Sequence, residues 1–287
     1  MTEHPAKLSE KLPEAIRARL NELSSTLATQ RGDNLAALLV FGSAVRGGWR
    51  AGSSDVDLVL VLKDPKREAL LAIANTLTVA RTAFRFEAVI LGADEIPQAA
   101  DVFPLFYDDI KSCHVVLAGK DPFAALDISD QNRRLRIEQE LREEQIRLRR
   151  AVVDSMGAPQ QLAGAVERKV KQLRSPLHAL LELRRTPASN DTLPVLLEKA
   201  TEIYGVDTSA LSNARKDPEA AHDALQKLLD RMIDEELLVQ AAERAGTAAT
   251  DAVVRDAIAE VPAFQGDGKF NPDQYRLLLT TQNMNAQ

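Results

Sequence analysis

Two short, uninterrupted apolar runs near the start of the chain most constrain its fold. Leu35–Phe41 and residues 58–62 contain only apolar side chains, and residues 42–54, which include four glycines, separate them. Runs of this length are typical of buried strands and are far too short to cross a bilayer. The stretch between them predicts a loop. A third strand is predicted over residues 84–91, where apolar residues alternate, after a helix over residues 64–83.

Most of the remaining chain shows helical spacing. Predicted helices cover residues 8–28, 132–153, 160–185, 192–204 and 218–246, and Thr250 or Asp251 is predicted to cap one more helix near the C-terminus. We therefore expect an α+β protein with a small mixed sheet in residues 1–122. A helical bundle in residues 123–225 and a helical C-terminal tail in residues 226–287 are expected to follow.

Composition excludes several classes of protein. The 287 residues include 36 Lys and Arg against 42 Asp and Glu, a net charge of −6, which excludes a generally basic protein that coats nucleic acid but leaves a local basic groove open. Residues 235–287 hold eight acids and four bases, so most of this charge lies in the tail. The single cysteine, Cys113, excludes internal disulfides and is expected to be a buried apolar residue. With no signal-peptide pattern at the start, we expect a cytoplasmic protein without membrane contact.

Three carboxylates are the candidate catalytic and metal-binding residues. Asp55 and Asp57 begin the second predicted strand, and residues two apart on a strand project to the same face. Such close like charges raise each other's pKa unless a cation lies between them, and Mg²⁺ prefers these hard oxygen ligands. Glu87 interrupts the third predicted strand. Beside the two aspartates, Glu87 would complete a two-metal site or accept the proton of an attacking hydroxyl.

The loop that follows the first strand contains the candidate phosphate-binding residues. Gly42 lets backbone approach a ligand, while the Ser43 hydroxyl and nearby N–H groups offer hydrogen bonds to phosphate oxygens. Arg46 and Arg50 in the same loop would neutralise phosphate charge.

Gly42-Ser43, an eleven-residue gap, and Asp55-Val56-Asp57 together resemble the signature of polymerase-β-type nucleotidyltransferases, in particular the minimal and antibiotic-modifying branches. The resemblance extends over about residues 10–235. It implies that a nucleoside monophosphate is moved from an NTP to a hydroxyl acceptor, with two Mg²⁺ ions bound. By position, Gly42 and Ser43 would hold the β- and γ-phosphates, and both aspartates would hold the metal ions.

The tail carries a second resemblance. Residues 228–246 form an amphipathic pattern that ends at a glycine, and the later pattern Pro-Ala-Phe-Gln, Gly-Lys-Phe and Tyr is similar to the N-terminal chaperone segment of SurA/PpiD-type peptidyl-prolyl isomerases. That family normally carries a parvulin domain, for which this sequence has no room, so isomerase activity is not expected. The tail is expected to cap the bundle or to mediate homodimer formation.

Two functions from different classes remain open. The first is an Mg²⁺-dependent nucleotidyltransferase that binds an NTP and an unidentified hydroxyl acceptor, which is a small molecule, a protein or an RNA. The alternative is a catalytically inactive nucleotidyltransferase fold that serves as a partner- or client-binding, chaperone-like module.

Overall fold

The computed structural model describes residues 8, 10, 12–188, 191–247, 251–266 and 269–281. Thr250, one of the two predicted caps, and Gly268 of the tail pattern lie outside these residues. The chain forms two compact units, Met1–Arg231 and Met232–Gln287, and the boundary falls inside one helix, Pro218–Arg244. The predicted division into 1–122, 123–225 and 226–287 stays a prediction.

The first unit opens with a four-stranded sheet and its flanking helices. In chain order these elements are α1 Glu14–Arg31, β1 Leu35–Phe41, α2 Ser43–Arg46, β2 Val56–Leu62, α3 Arg67–Phe84, β3 Phe86–Gly92, α4 Glu95–Gln98, α5 Pro104–Ser112 and β4 His114–Gly119. The strand order is β3-β2-β1-β4. β1 is antiparallel to β2 and β4, and β2 is parallel to β3. Because a parallel pair needs a crossover, α3 connects β2 to β3. The expected mixed sheet and α+β class are confirmed.

Both faces of the two central strands are buried, which explains why their sequences are continuously apolar. In β1, Leu38 and Val40 pack on one face with buried leucines of α1 and with α3. Ala37, Leu39 and Phe41 pack on the other face with α5 and the segment that follows β4. The core therefore holds both strands rigidly up to the point where β1 ends.

The rest of the described chain is mainly helical. Its helices are α6 Asp130–Ser155, α7 Pro159–Gln172, α8 Arg174–Leu183, α9 Leu193–Tyr204, α10 Pro218–Arg244, α11 Asp251–Glu260 and α12 Pro272–Thr281. In the second unit, Gln265–Gly266 (β5) pairs with Lys269–Phe270 (β6). The Tyr275 ring packs on Phe264 and Phe270, with ring centroids 4.9 and 5.6 Å away.

Several predicted elements differ from the structure. The predicted loop 42–54 contains the helical turn α2, and the third strand begins only at Phe86 because α3 continues to Phe84. α5 and β4 were not predicted. Residues 160–185 form two helices instead of one. Pro176, which lacks an N–H group, lies in the first turn of α8, where that group would have no helical partner.

Among the described helices, none combines the length and the apolar character that a membrane-spanning helix requires.

Candidate active site

The candidate site lies where β1 ends and β2 begins. The antiparallel register sets Phe41 opposite Asp57, so the next residue, Gly42, turns the chain beside the Asp57 carboxylate. Gly42 has φ 72° and ψ −142°, a backbone conformation that is essentially limited to glycine. A Cβ placed on Gly42 would lie only 2.8 Å from Asp57 Oδ2. The glycine is therefore needed both for the turn and for the close approach of this carboxylate.

The three predicted carboxylates come to one edge of the sheet. Parallel pairing of β2 and β3 sets Glu87 beside Asp57, and Asp55 directly precedes β2. Two of the three are ion-paired: Arg85 Nε donates to Asp55 Oδ1 at 2.8 Å, and Arg81 Nε donates to Glu87 Oε1 at 2.9 Å. Both pairs are exposed and therefore weak. In the described parts of the chain, no three Asp, Glu, His or Cys side chains form a metal-ligand cluster.

Asp57 experiences the most unusual electrostatic environment of the three. Burial and, after it, the nearby carboxylates of Asp55, Asp109 and Glu87 together raise the pKa of Asp57 from 3.8 to about 6, while the Arg46 guanidinium opposes them. Negative charge is therefore crowded around a partly desolvated carboxylate. A bound cation would relieve this repulsion.

The residues of the predicted phosphate-binding loop have different surroundings. Ser43 begins α2 and is half-buried, and Arg50 is exposed. The Arg46 side chain is only 6% exposed, and its Nη2 donates to Asp109 Oδ1 at 2.9 Å. Its guanidinium is thus already paired inside the protein, and the predicted contact between Arg46 and phosphate stays a prediction.

Sequence reasoning missed two charged residues at this site. Asp109 on α5 also accepts a hydrogen bond from Arg174 Nη1 on α8, so one carboxylate lies between two guanidinium groups. The only sequence signal was an acidic pair at 108–109 on an otherwise apolar segment, and nothing marked Arg174 as its partner. Cys113 is buried next to this group, as predicted, and burial raises the pKa of its thiol.

A buried histidine lies near Arg174. His178 lines a cavity of about 300 Å³ together with Lys111 and Arg133, and its Nε2 atom is buried without a hydrogen-bond partner in the described structure. Burial, followed by the charge of Arg174, lowers the pKa of His178 to about 4. The imidazole is therefore neutral at physiological pH.

Comparison with known families finds a match for each of two separate regions of the chain. Residues 20–148 match the family described as "Nucleotidyltransferase domain", and residues 206–287 match the "SurA-like N-terminal domain". These two matches confirm both predicted resemblances.

Individual relatives cover these regions unequally. Two curated sequences, the periplasmic chaperone PpiD of Escherichia coli K12 and that of E. coli O6:H1, are each 43% identical over 61 residues, which is 21% of this chain and 10% of the relative. This chain thus matches about a tenth of their length.

Two solved structures match this chain over nearly their whole length, but with low TM-scores. Spectinomycin adenyltransferase AAD(9) from Enterococcus faecialis, with ATP and spectinomycin, is 14% identical with a TM-score of 0.42, and the match covers 75% of this chain and 98% of that one. A toxin–antitoxin with AMP-PNP is 19% identical with a TM-score of 0.27, covering 48% and 98%.

Proposed function

We propose that this protein is an Mg²⁺-dependent nucleotidyltransferase that moves a nucleoside monophosphate from an NTP to a hydroxyl acceptor. The observation that carries the proposal is the approach of Asp57 to Gly42, with Asp55 and Glu87 at the same sheet edge. This approach joins a carboxylate cluster to a turn that only glycine can make. The match of residues 20–148 to the nucleotidyltransferase domain family supports the same function.

The donor set fits Mg²⁺ because every candidate ligand is a carboxylate oxygen. Asp57 lies near several other carboxylates, and a divalent cation would neutralise their combined negative charge. The arginine partners of Asp55 and Glu87 are held only by exposed ion pairs, so both carboxylates can leave these pairs at small cost and turn to a metal ion. Asp55, Asp57 and Glu87 would then hold the ions.

Each group of the site has a role in this transfer. Gly42 and Ser43 hold the β- and γ-phosphates through backbone N–H groups and the hydroxyl, and Arg46 supplies positive charge close to them. The acceptor oxygen forms a bond to the α-phosphorus while the bond from that phosphorus to the β-phosphate oxygen breaks, and pyrophosphate leaves. Bound Mg²⁺ supplies charge neutralisation on the phosphates. The acceptor proton passes to a carboxylate, for which Glu87 is the candidate if it is not a metal ligand.

Transfer of label from NTPs labelled on the α-phosphate tests the proposal. The wild-type protein, Mg²⁺ and a panel of hydroxyl acceptors should give a labelled product, and the double variant Asp55→Ala/Asp57→Ala should not. Asp154→Ala is the matched control, because it removes an exposed aspartate that pairs with Arg150 on α6. Equal transfer by the double variant and the wild type would exclude this site as the catalytic centre.

The role of Glu87 is resolved by Glu87→Gln. If Glu87 accepts the proton, the variant should lose roughly 10²–10⁴-fold in rate while its affinity for ATP with Mg²⁺ stays unchanged. If Glu87 holds a metal ion, the Mg²⁺ concentration needed for half-maximal binding should rise instead. Calorimetry and rate measurements on the same samples separate the two roles.

One observation favours a second candidate function, a chaperone-like binding module: residues 206–287 match the SurA-like family. The second unit exposes apolar side chains such as Leu277, which is 66% exposed. If this function holds, the full chain should suppress aggregation of an unfolded client protein, and Leu277→Ser should weaken the suppression. Leu135→Ser is the control, because Leu135 on α6 is equally exposed. Suppression without any binding of ATP and Mg²⁺ would favour the module over the enzyme.

The cytoplasm is the proposed compartment because NTP is the proposed substrate, although the named relative is periplasmic. Fractionation of cells with an antibody against the protein tests this assignment.

A further inference from the structure

A partly buried charge cluster connects the turn of the candidate site to the helical part of the first unit. The Asp109 carboxylate on α5 binds the guanidinium of Arg46 at the end of α2 and that of Arg174 at the start of α8. The side chains are 21%, 6% and 14% exposed, respectively. Arg174 Nη2 also donates to the Asp191 carbonyl at 3.4 Å, which is a longer and weaker hydrogen bond.

Two cations share the Asp109 carboxylate, and Arg46 also acts on the nearby carboxylate of Asp57. The Nε atoms of Arg46 and Arg174 are also buried without a hydrogen-bond acceptor in the described structure. Buried charges without full compensation are destabilising, so stability alone does not explain the cluster. Its field does act on the site, because both Arg46 and Asp109 influence the pKa of Asp57.

The turn that carries Gly42 and Ser43 has little support from its own backbone. α2 has four residues, and its hydrogen bonds are limited to a single turn: Val45 N–H and Arg46 N–H donate to the Gly42 carbonyl at 3.2 and 3.0 Å, and Gly47 N–H donates to the Ser43 carbonyl at 3.0 Å. A helix this short is not stable by itself. Its position therefore depends on side-chain contacts: Ala44 and Val45 are buried in the core, and Arg46 forms a charge-assisted pair with Asp109.

We propose that Asp109 and Arg174 are positioning residues for nucleotide binding: Arg174 orients the Asp109 carboxylate, and Asp109 fixes Arg46 and with it the turn of Gly42 and Ser43. The inference rests on the proposed function, since it assigns to these residues the geometry of the NTP site. Through Arg174, a helix outside the sheet controls how well the turn is formed.

Two measurements on Arg174→Gln test the proposal. In the nucleotide-free protein, millisecond hydrogen exchange should be about 10-fold faster at the amides of residues 44–47, while the amides of β1 and α6 keep their protection. Calorimetric titration with ATP and Mg²⁺ should show a dissociation constant about 10-fold higher than that of the wild type. Arg174→Lys keeps a charge beside Asp109 and should restore part of both losses.

Arg215→Gln is the matched control. Arg215 makes a two-pronged pair with Glu167 in the same unit, but this pair is exposed and does not contact the site. The control should change neither the exchange at residues 44–47 nor the affinity for ATP.

The possible outcomes separate this proposal from the proposed function. If the wild type does not bind ATP with Mg²⁺, the proposed function fails, and the exchange measurement still decides whether Arg174 fixes the turn. If the wild type binds but Arg174→Gln binds equally well and exchanges normally, the positioning role is overturned. A uniform rise in exchange over the whole unit, without a selective effect at residues 44–47 and without rescue by lysine, would show a purely structural role and would also overturn it.

Discussion

Replacing Asp57 by asparagine should stabilise the nucleotide-free protein while destroying its proposed function. The folded protein holds the pKa of Asp57 at about 6, against an ordinary value of 3.8, because burial and neighbouring carboxylates disfavour its charged form. At neutral pH the Asp57 carboxylate of the wild type is ionised although its pKa in the folded state is about two units above the ordinary value. At 1.36 kcal/mol per unit, Asp57→Asn should recover up to about 3 kcal/mol of unfolding free energy.

The pH dependence of this gain has a definite sign. Because the pKa of Asp57 is higher in the folded state, the folded protein binds more protons between pH 3.8 and about 6. This group's contribution to stability therefore falls as the pH rises through that window and stays low above it. The advantage of Asp57→Asn over the wild type should be full at pH 7.5 and close to zero near pH 4.

Thermal unfolding of both proteins across this pH range measures the effect. For a unit of this size, about 3 kcal/mol corresponds to roughly 6–12 °C in Tm at pH 7.5. Mg²⁺ should raise the Tm of the wild type by mass action and leave that of Asp57→Asn unchanged. Asp154→Asn, at an exposed ion pair, should shift stability by less than about 1 kcal/mol at every pH. If Asp57→Asn is destabilised, or if its effect does not depend on pH, then charge crowding at Asp57 is not what the structure implies.

Three further outcomes are expected. Gly42→Ala should destabilise the protein by about 1–3 kcal/mol more than Gly52→Ala in urea titrations. Both glycines have positive φ, but of the two new Cβ atoms only the one at Gly42 would meet Asp57. Equal losses of stability would contradict the close approach of Gly42 and Asp57. The pKa of His178 is about 4 in the folded state and ordinary in the unfolded state, so the unfolded state binds the proton first and the wild type loses stability as the pH falls from 6.5 towards 4. His178→Leu should remove this loss. The difference in unfolding free energy between the two proteins should therefore change over this pH range, and a constant difference would refute the reasoning. Cys113 is buried with a raised pKa, so Ellman's reagent should react with it only after unfolding, and rapid reaction in native buffer would contradict this burial.

The sheet and the positions of the candidate carboxylates were predictable because their causes are local in sequence. β1 and β2 are buried on both faces, which leaves continuous apolar runs, and the antiparallel connection between them returns Asp57 to the end of β1. Gly42 and Asp57 are therefore neighbours because one follows the end of β1 and the other lies at the start of the adjacent strand β2. The meeting of Asp57 and Glu87 followed from the same logic, since a helix between two strands predicts a parallel pair.

The partners of these residues were not predictable in the same way. Asp109 is 63 residues from Arg46 and 65 from Arg174, and no periodic pattern links positions on three separate helices. The sequence shows Arg46 as a cation in a glycine-rich loop, where a phosphate contact is the natural expectation. Only tertiary packing reveals that a partly buried carboxylate already binds the Arg46 guanidinium.

The SurA-like match does not coincide with one of the two compact units of the structure. The match begins at residue 206, whereas the first compact unit continues to Arg231, so the beginning of the family segment belongs to the body of the protein. Arg215 pairs with Glu167 of α7, and Asp230 accepts a hydrogen bond from Gln145 of α6. Because these contacts lie within one unit, the segment cannot be a chaperone domain that is simply appended at residue 206. Residues 232–287 are therefore the part of the matched segment that lies outside the first unit, and α10 runs from one unit into the other.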